Sequence, residues 1–127
     1  MNDKDFDAGT TIRSERPSQM VVMLYEEMLA SLDRAVVATE RGDLPTRNRH
    51  ARRAADIVDL LDGCLDRSRG GEIAANLAAL YRTVLGRLVQ LNAGRSGRPG
   101  REAIALLEPL LDAWKAVDRE EALASAA

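Results

Sequence analysis

Few side chains in this 127-residue sequence are equipped for chemistry. There is one histidine, His50, and one cysteine, Cys64, so a zinc site of the usual nitrogen and sulfur ligands cannot be assembled, and only carboxylate oxygens remain formally available. Cys64 has no partner for an internal disulfide and lies among the leucines of a helical stretch, where a small buried hydrophobe is the expected role. The loop GRSGRPG at residues 94–100 is glycine-rich but lacks the lysine and hydroxyl residue of a phosphate-binding loop, and it reads as a flexible connection. Acidic residues are interspersed with basic ones, as on a solvated, salt-bridged face. No nucleophile and base converge, so neither a catalytic residue nor a metal or cofactor is expected.

Two features need separate weighing. Arg47, Arg49, Arg52 and Arg53 crowd around His50, a pattern able to meet phosphate or an acidic partner. The formal net charge of −2 gives the molecule no basic footprint, however, which argues against nucleic acid and for an ordinary surface helix face. His50 followed by Arg53 and the small Ala54 also resembles one turn of the phosphorylated helix of histidine phosphotransfer domains. Its phase with Ala54, Ile57 and Leu61 fits a histidine at the core edge instead.

The elements that hold these residues are helical. Hydrophobic residues make up 46% of the chain but aromatics only 3%, and alanine and leucine outweigh β-branched residues, a mixture that favours helix over sheet. Pro17 opens a helix expected over 17–41. Gly42 to Pro45 breaks it, and Thr46 is the expected N-cap of a second helix reaching 65 or 66. Gly70-Gly71 marks the next turn, with a third helix over 72–92 that contains Gly86, where two helices can approach closely. A fourth helix follows Gly100 and reaches 123, with a kink expected near Ala105 because Pro109 removes a backbone hydrogen bond.

One domain fits this length, so the expected architecture is an all-α, antiparallel up-down four-helix bundle over 17–123, with a mobile N-terminal arm at 1–16 and a disordered tail at 124–127. The arm has only Phe6 and Ile12 to bury. There is neither a signal-peptide-like apolar stretch nor a run of about 18 apolar residues, so a cytoplasmic protein without membrane contact is expected.

The stripes Ile73, Leu77, Leu80, Val84, Leu88 and Leu91 on the third helix, and Ile104, Leu107, Leu111 and Trp114 on the fourth, supply a core. Apolar residues are left over. Met20, Val22, Met23, Tyr25 and Leu29 lie outside the main stripe of the first helix, and Leu106, Leu110 and Val117 outside that of the fourth. Either a partner covers this surplus or the helices pack through broader stripes.

The segment GGEIAANLAALYRTVLGRLVQLN (70–92) resembles the third-helix signature of the FliS family of flagellin export chaperones. MVVMLYEEMLASLDRA (20–35) is similar to that family's first long helix, and LLEPLLDAWKAV (106–117), with Trp114 and Lys115, to its last. The resemblance implies a cytoplasmic chaperone, not an enzyme, that binds the C-terminal segment of flagellin as it turns helical, blocks premature polymerisation and delivers it to the flagellar export apparatus. It further points to Met20, Met23, Tyr25, Met28, Leu77, Tyr81 and Leu85 as partner-binding residues, on a monomer or homodimer. A phosphotransfer domain using His50 and a dimerising helical adaptor are the alternatives.

Overall fold

Helix boundaries follow from local capping chemistry. The computed structural model describes residues 16–126, which form α1 (Pro17–Glu40), α2 (Leu44–Gly63), α3 (Arg67–Ala93) and α4 (Arg98–Ala126). Pro17 and Pro45 each stand in a first turn, where a missing N–H costs nothing. Asp43, not Thr46, caps α2: its carboxylate accepts from the Thr46 amide at 3.3 Å, so Thr46 is the recipient of the cap. Asp66 caps α3 through the amides of Ser68 and Arg69. Gly71, at φ 53°, interrupts α3 near its start with a conformation that a side chain would oppose, so the main run of that helix begins after it, as the Gly-Gly pair suggests.

Three sequence expectations change here. Cys64 is exposed, because it falls at the C-cap of α2 and not within its buried stripe. Gly86 faces open space and mediates no close approach. Residues 124–126 continue α4 and are not a tail. The expected arm lies outside the described residues except for Arg16, which is fixed by a 3.0 Å ion pair to Asp118. α4 runs helically through Pro109.

The four helices form a bundle in which α1 packs against α2 and α4, and α3 completes the ring between α2 and α4. Ion pairs fix the directions. Arg16 meets Asp118, Glu26 meets Lys115 and Glu40 meets Arg101, so α1 and α4 run antiparallel along their whole contact. Arg47, at the start of α2, is buried and donates to the carbonyls of Gly94 at 3.0 Å and Leu91 at 3.4 Å. It thereby satisfies the end of α3 with a cation on the negative pole of that helix. The arginine cluster is therefore not one solvated face: Arg47 is a cap, Arg53 pairs with Glu27 at 2.8 Å, and Arg52 lies 3.8 Å from Asp56.

Between them the helices enclose Leu24, Met28 and Leu32 of α1, Ile57, Val58 and Leu61 of α2, Val84, Leu88 and Leu91 of α3, and Ala103 and Leu107 of α4. The close approach occurs at the start of α4. A Cβ on Gly97 would stand 2.8 Å from Val36 Cγ1, and one on Gly100 would collide with Val36 and reach Leu91 at 3.4 Å. Gly100→Ala should therefore cost about 1–3 kcal/mol of stability through overpacking, and Val36→Ala in the same chain should recover part of that loss. Urea unfolding of both variants, with an unchanged m-value, is the check.

Candidate partner-binding surface

α1 is enclosed on more sides than a helical wheel with one core face allows, and this decides where several expected binding residues fall. Tyr25 and Met28 have no exposed surface and Tyr81 is 3% exposed, so these three belong to the core and not to a ligand-facing edge. The cause is that α1 contacts α2 and α4 on its flanks and reaches α3 between them. The hydroxyls of Tyr25 and Tyr81 lie 2.6 Å apart, either one donating, and the Trp114 side chain hydrogen-bonds to Tyr25 as well. One polar chain thus joins α4, α1 and α3. The surplus on α1 is largely absorbed by a broader core: Val22 and Leu29 are half-buried, and only Met23 is exposed, at 39%. Met20, Leu77 and Leu85 are half-buried at the edges of the core.

Apolar side chains stay open in several places, Val37 on α1, Leu44 and Leu60 on α2 and Val89 on α3 among them, and one group lies where α3 and α4 leave the core together. Along the α3 stripe Val84, Leu88 and Leu91 are buried, Leu77 and Leu80 half-buried, and Ile73 is 72% exposed. Sequence periodicity placed all six in the core. It reads phase, whereas towards the Gly71 end the buried residues are Ala74 and Ala78, and Ile73 on the neighbouring flank is left open. In α4 only Gly100, Ala103 and Leu107 are buried, and Leu110, Leu111 and Trp114 are half-covered. Arg87 of α3 pairs with Glu102 of α4 at 3.1 Å, which identifies the flank of each helix that faces the other. Ile73, Leu77, Leu80 and Val84 share the Arg87 flank, and Leu106, Leu110 and Val117 share the Glu102 flank, at spacings of three, four or seven. Because α3 and α4 run antiparallel, these two rows lie at the same end of the bundle. They make an apolar seam suited to the buried face of an amphipathic helix, with no group able to break or form a bond.

His50 is half-buried on α2, and burial, followed by the charges of Arg49 and Arg34, holds its pKa below the ordinary 6.5. Asp118 titrates below the usual carboxylate range because Arg16 hydrogen-bonds to it, and Ser18 lies 3.0 Å from the same oxygen. Among the described residues no group of histidine, cysteine and carboxylate side chains is placed to hold a metal ion, and no helix is long and apolar enough to cross a membrane.

Comparison with known proteins gives one consistent result. The family model described as "Flagellar protein FliS" matches residues 3–121. The flagellar secretion chaperone FliS of Salmonella typhimurium is 33% identical over 109 residues, covering 85% of this chain and 81% of that protein. FliS of Campylobacter jejuni is 33% identical over 110 residues (87% and 86%), and FliSB of Pseudomonas aeruginosa is 30% identical over 106 residues (84% of each).

The buried tyrosine pair has a consequence that can be measured. Burial is the leading cause that raises both phenols above their ordinary value of 10.0, and for Tyr81 the hydrogen bond that its hydroxyl donates to Tyr25 adds to it. A phenol is neutral when protonated, so a raised folded-state value means that the native state keeps its protons when the unfolded chain begins to lose them. The stability contribution is complete below about pH 10 and declines above it. These are the only two tyrosines. Phenolate absorbance near 295 nm should therefore stay flat through pH 10 and then rise together with loss of helical circular dichroism. Absorbance rising at the ordinary pH with helicity intact would contradict the burial of the pair.

Proposed function

Because the chain belongs to the FliS family of flagellar secretion chaperones, and is a chaperone and not an enzyme, we propose that it acts in the cytoplasm on flagellin itself. On this reading it binds the C-terminal segment of flagellin, keeps it from polymerising before export, and hands it to the export apparatus. The observation that carries the reading is the α3–α4 seam, with Ile73 open at one side and Leu106 and Val117 at the other. A segment that is disordered when free loses about 2–5 kcal/mol on ordering and must offset this by burying a large apolar face, at about 25 cal/mol per Å². Two half-open apolar rows at one end of a rigid bundle offer such a face. Met20 and Met23 share the flank of α1 that carries Glu27, the partner of Arg53 of α2, and would add a separate contact through unbranched thioethers that adapt to irregular shapes. Tyr25 and Tyr81 then act on binding only through the core, by holding α1, α3 and α4 in place.

Calorimetric titration with the C-terminal segment of the flagellin encoded in the same genome tests this. Ile73→Asp and Val117→Asp should each weaken binding by at least about tenfold, because a charge is set into the seam, while thermal stability changes little at such exposed positions. Unchanged affinity in both variants would remove the seam as the binding surface.

A further inference from the structure

The chain has one tryptophan, Trp114, and it stands in the row that borders the seam on α4. Leu110, Trp114 and Val117 fall at i, i+4 and i+7, on one face of the helix. Lys115, one residue on, reaches Glu26 of α1 at 3.7 Å, so the flank toward α1 lies a step around the helix from the indole. The Arg87–Glu102 pair fixes the level: twelve residues further along α4 is Trp114, and twelve residues back along antiparallel α3 is Ala75, between Ile73 and Leu77. Trp114 is therefore level with Ile73, the most exposed residue of the seam, and is itself only half-buried.

A polar tether distinguishes Trp114 from Ile73 and Val117. An indole N–H can only donate, and here it meets the Tyr25 hydroxyl, which has no exposed surface and is itself held 2.6 Å from the hydroxyl of Tyr81. The ring is thus oriented from inside the bundle before any client arrives. The aliphatic side chains along the seam have no such anchor. A broad apolar face in a fixed orientation is the profile of an interface anchor, because it offers a large contact area and has little rotamer freedom left to lose on binding. We propose that Trp114 is the affinity-determining residue of the seam, the floor on which the client segment seats one large apolar side chain, and that Tyr25 is its positioning residue, acting through the indole N–H. This rests on the α3–α4 seam being the client surface. Its neighbours at that level, Ile73, Leu77 and Leu110, are aliphatic, so the seat suits an aliphatic or aromatic side chain and disfavours a charged one.

The test uses the full chain, a flagellin C-terminal segment synthesised without tryptophan, and the emission of Trp114 as its own reporter. In the parent chain, binding should shift that emission to the blue and shield it from acrylamide. Trp114→Phe should weaken binding by about tenfold or more in calorimetry. Tyr25→Phe keeps the indole but removes its acceptor: it should weaken binding by about threefold to fivefold and add a fast component to the anisotropy decay of Trp114. Tyr81→Phe removes a buried hydroxyl from the same chain but leaves the tether, so it should lower the melting temperature without that fast component. An indole that stays as mobile in Tyr25→Phe as in the parent would overturn the positioning role. Emission unmoved by the client, or affinity unchanged in Trp114→Phe, would overturn the anchor. If Ile73→Asp and Val117→Asp still weaken binding in that case, the seam stands and only the inference about Trp114 falls.

Discussion

A polar contact in the interior sets the terms for this bundle. Tyr25 and Tyr81 meet at 2.6 Å with almost no exposure to water, so each hydroxyl depends on the other for much of its hydrogen bonding. Sliding α1 against α3 by a single turn would leave both unpaired in an apolar surrounding. Leucines tolerate several registers, but this pair tolerates few, and Trp114 extends the constraint to α4. The contact links α1 and α3, which are otherwise separated by the helices on either side of them, so it fixes the one distance that the ring of neighbouring contacts leaves loosely determined.

With α1 largely enclosed, and only Met23 and Val37 of its large apolar residues exposed, more of the open apolar surface lies elsewhere. α3 and α4 have fewer neighbours, and at the end where α3 begins neither is fully covered. That arrangement separates rigidity from exposure: the helix richest in apolar residues is the most enclosed, and α3 and α4 keep apolar side chains partly open. Gly71 kinks the start of α3, and just after it Ile73 is left 72% exposed among the described residues.

Much of this was legible in the residues themselves. The turn at Gly42 divides the chain where the structure divides it, whereas the break between α2 and α3 lies at 64–66 with Gly70-Gly71 as a kink inside α3, and α4 already begins at Arg98; the family resemblance rested on segments that the comparisons cover. What could not be read was the number of neighbours around each helix. A wheel puts Tyr25 outside the main stripe of α1 but cannot show that a third helix waits there, while Met28 lies on that stripe and only the family resemblance pointed to it as a binding residue. Thr46 and Asp43 are equally good caps by type, and only backbone geometry chose between them. The same limit explains Ile73: its phase is that of a core residue, but at that end of α3 the covered flank is the one that carries Ala74 and Ala78.

The antiparallel contact of α1 with α4 joins the first described helix to the last, through Arg16 and Asp118 at one end and Glu40 and Arg101 at the other. On the ribosome α1 emerges first, and α2 and α3 can settle against it while α4 is still being made. Until then the side of α1 that carries Val36 faces water, since the glycines that close over it belong to the start of α4. A chaperone thus passes through a stage in which an apolar side of its own first helix has no cover. The nascent protein itself depends on speed, on the tunnel, or on other chaperones for the interval between the third helix and the fourth.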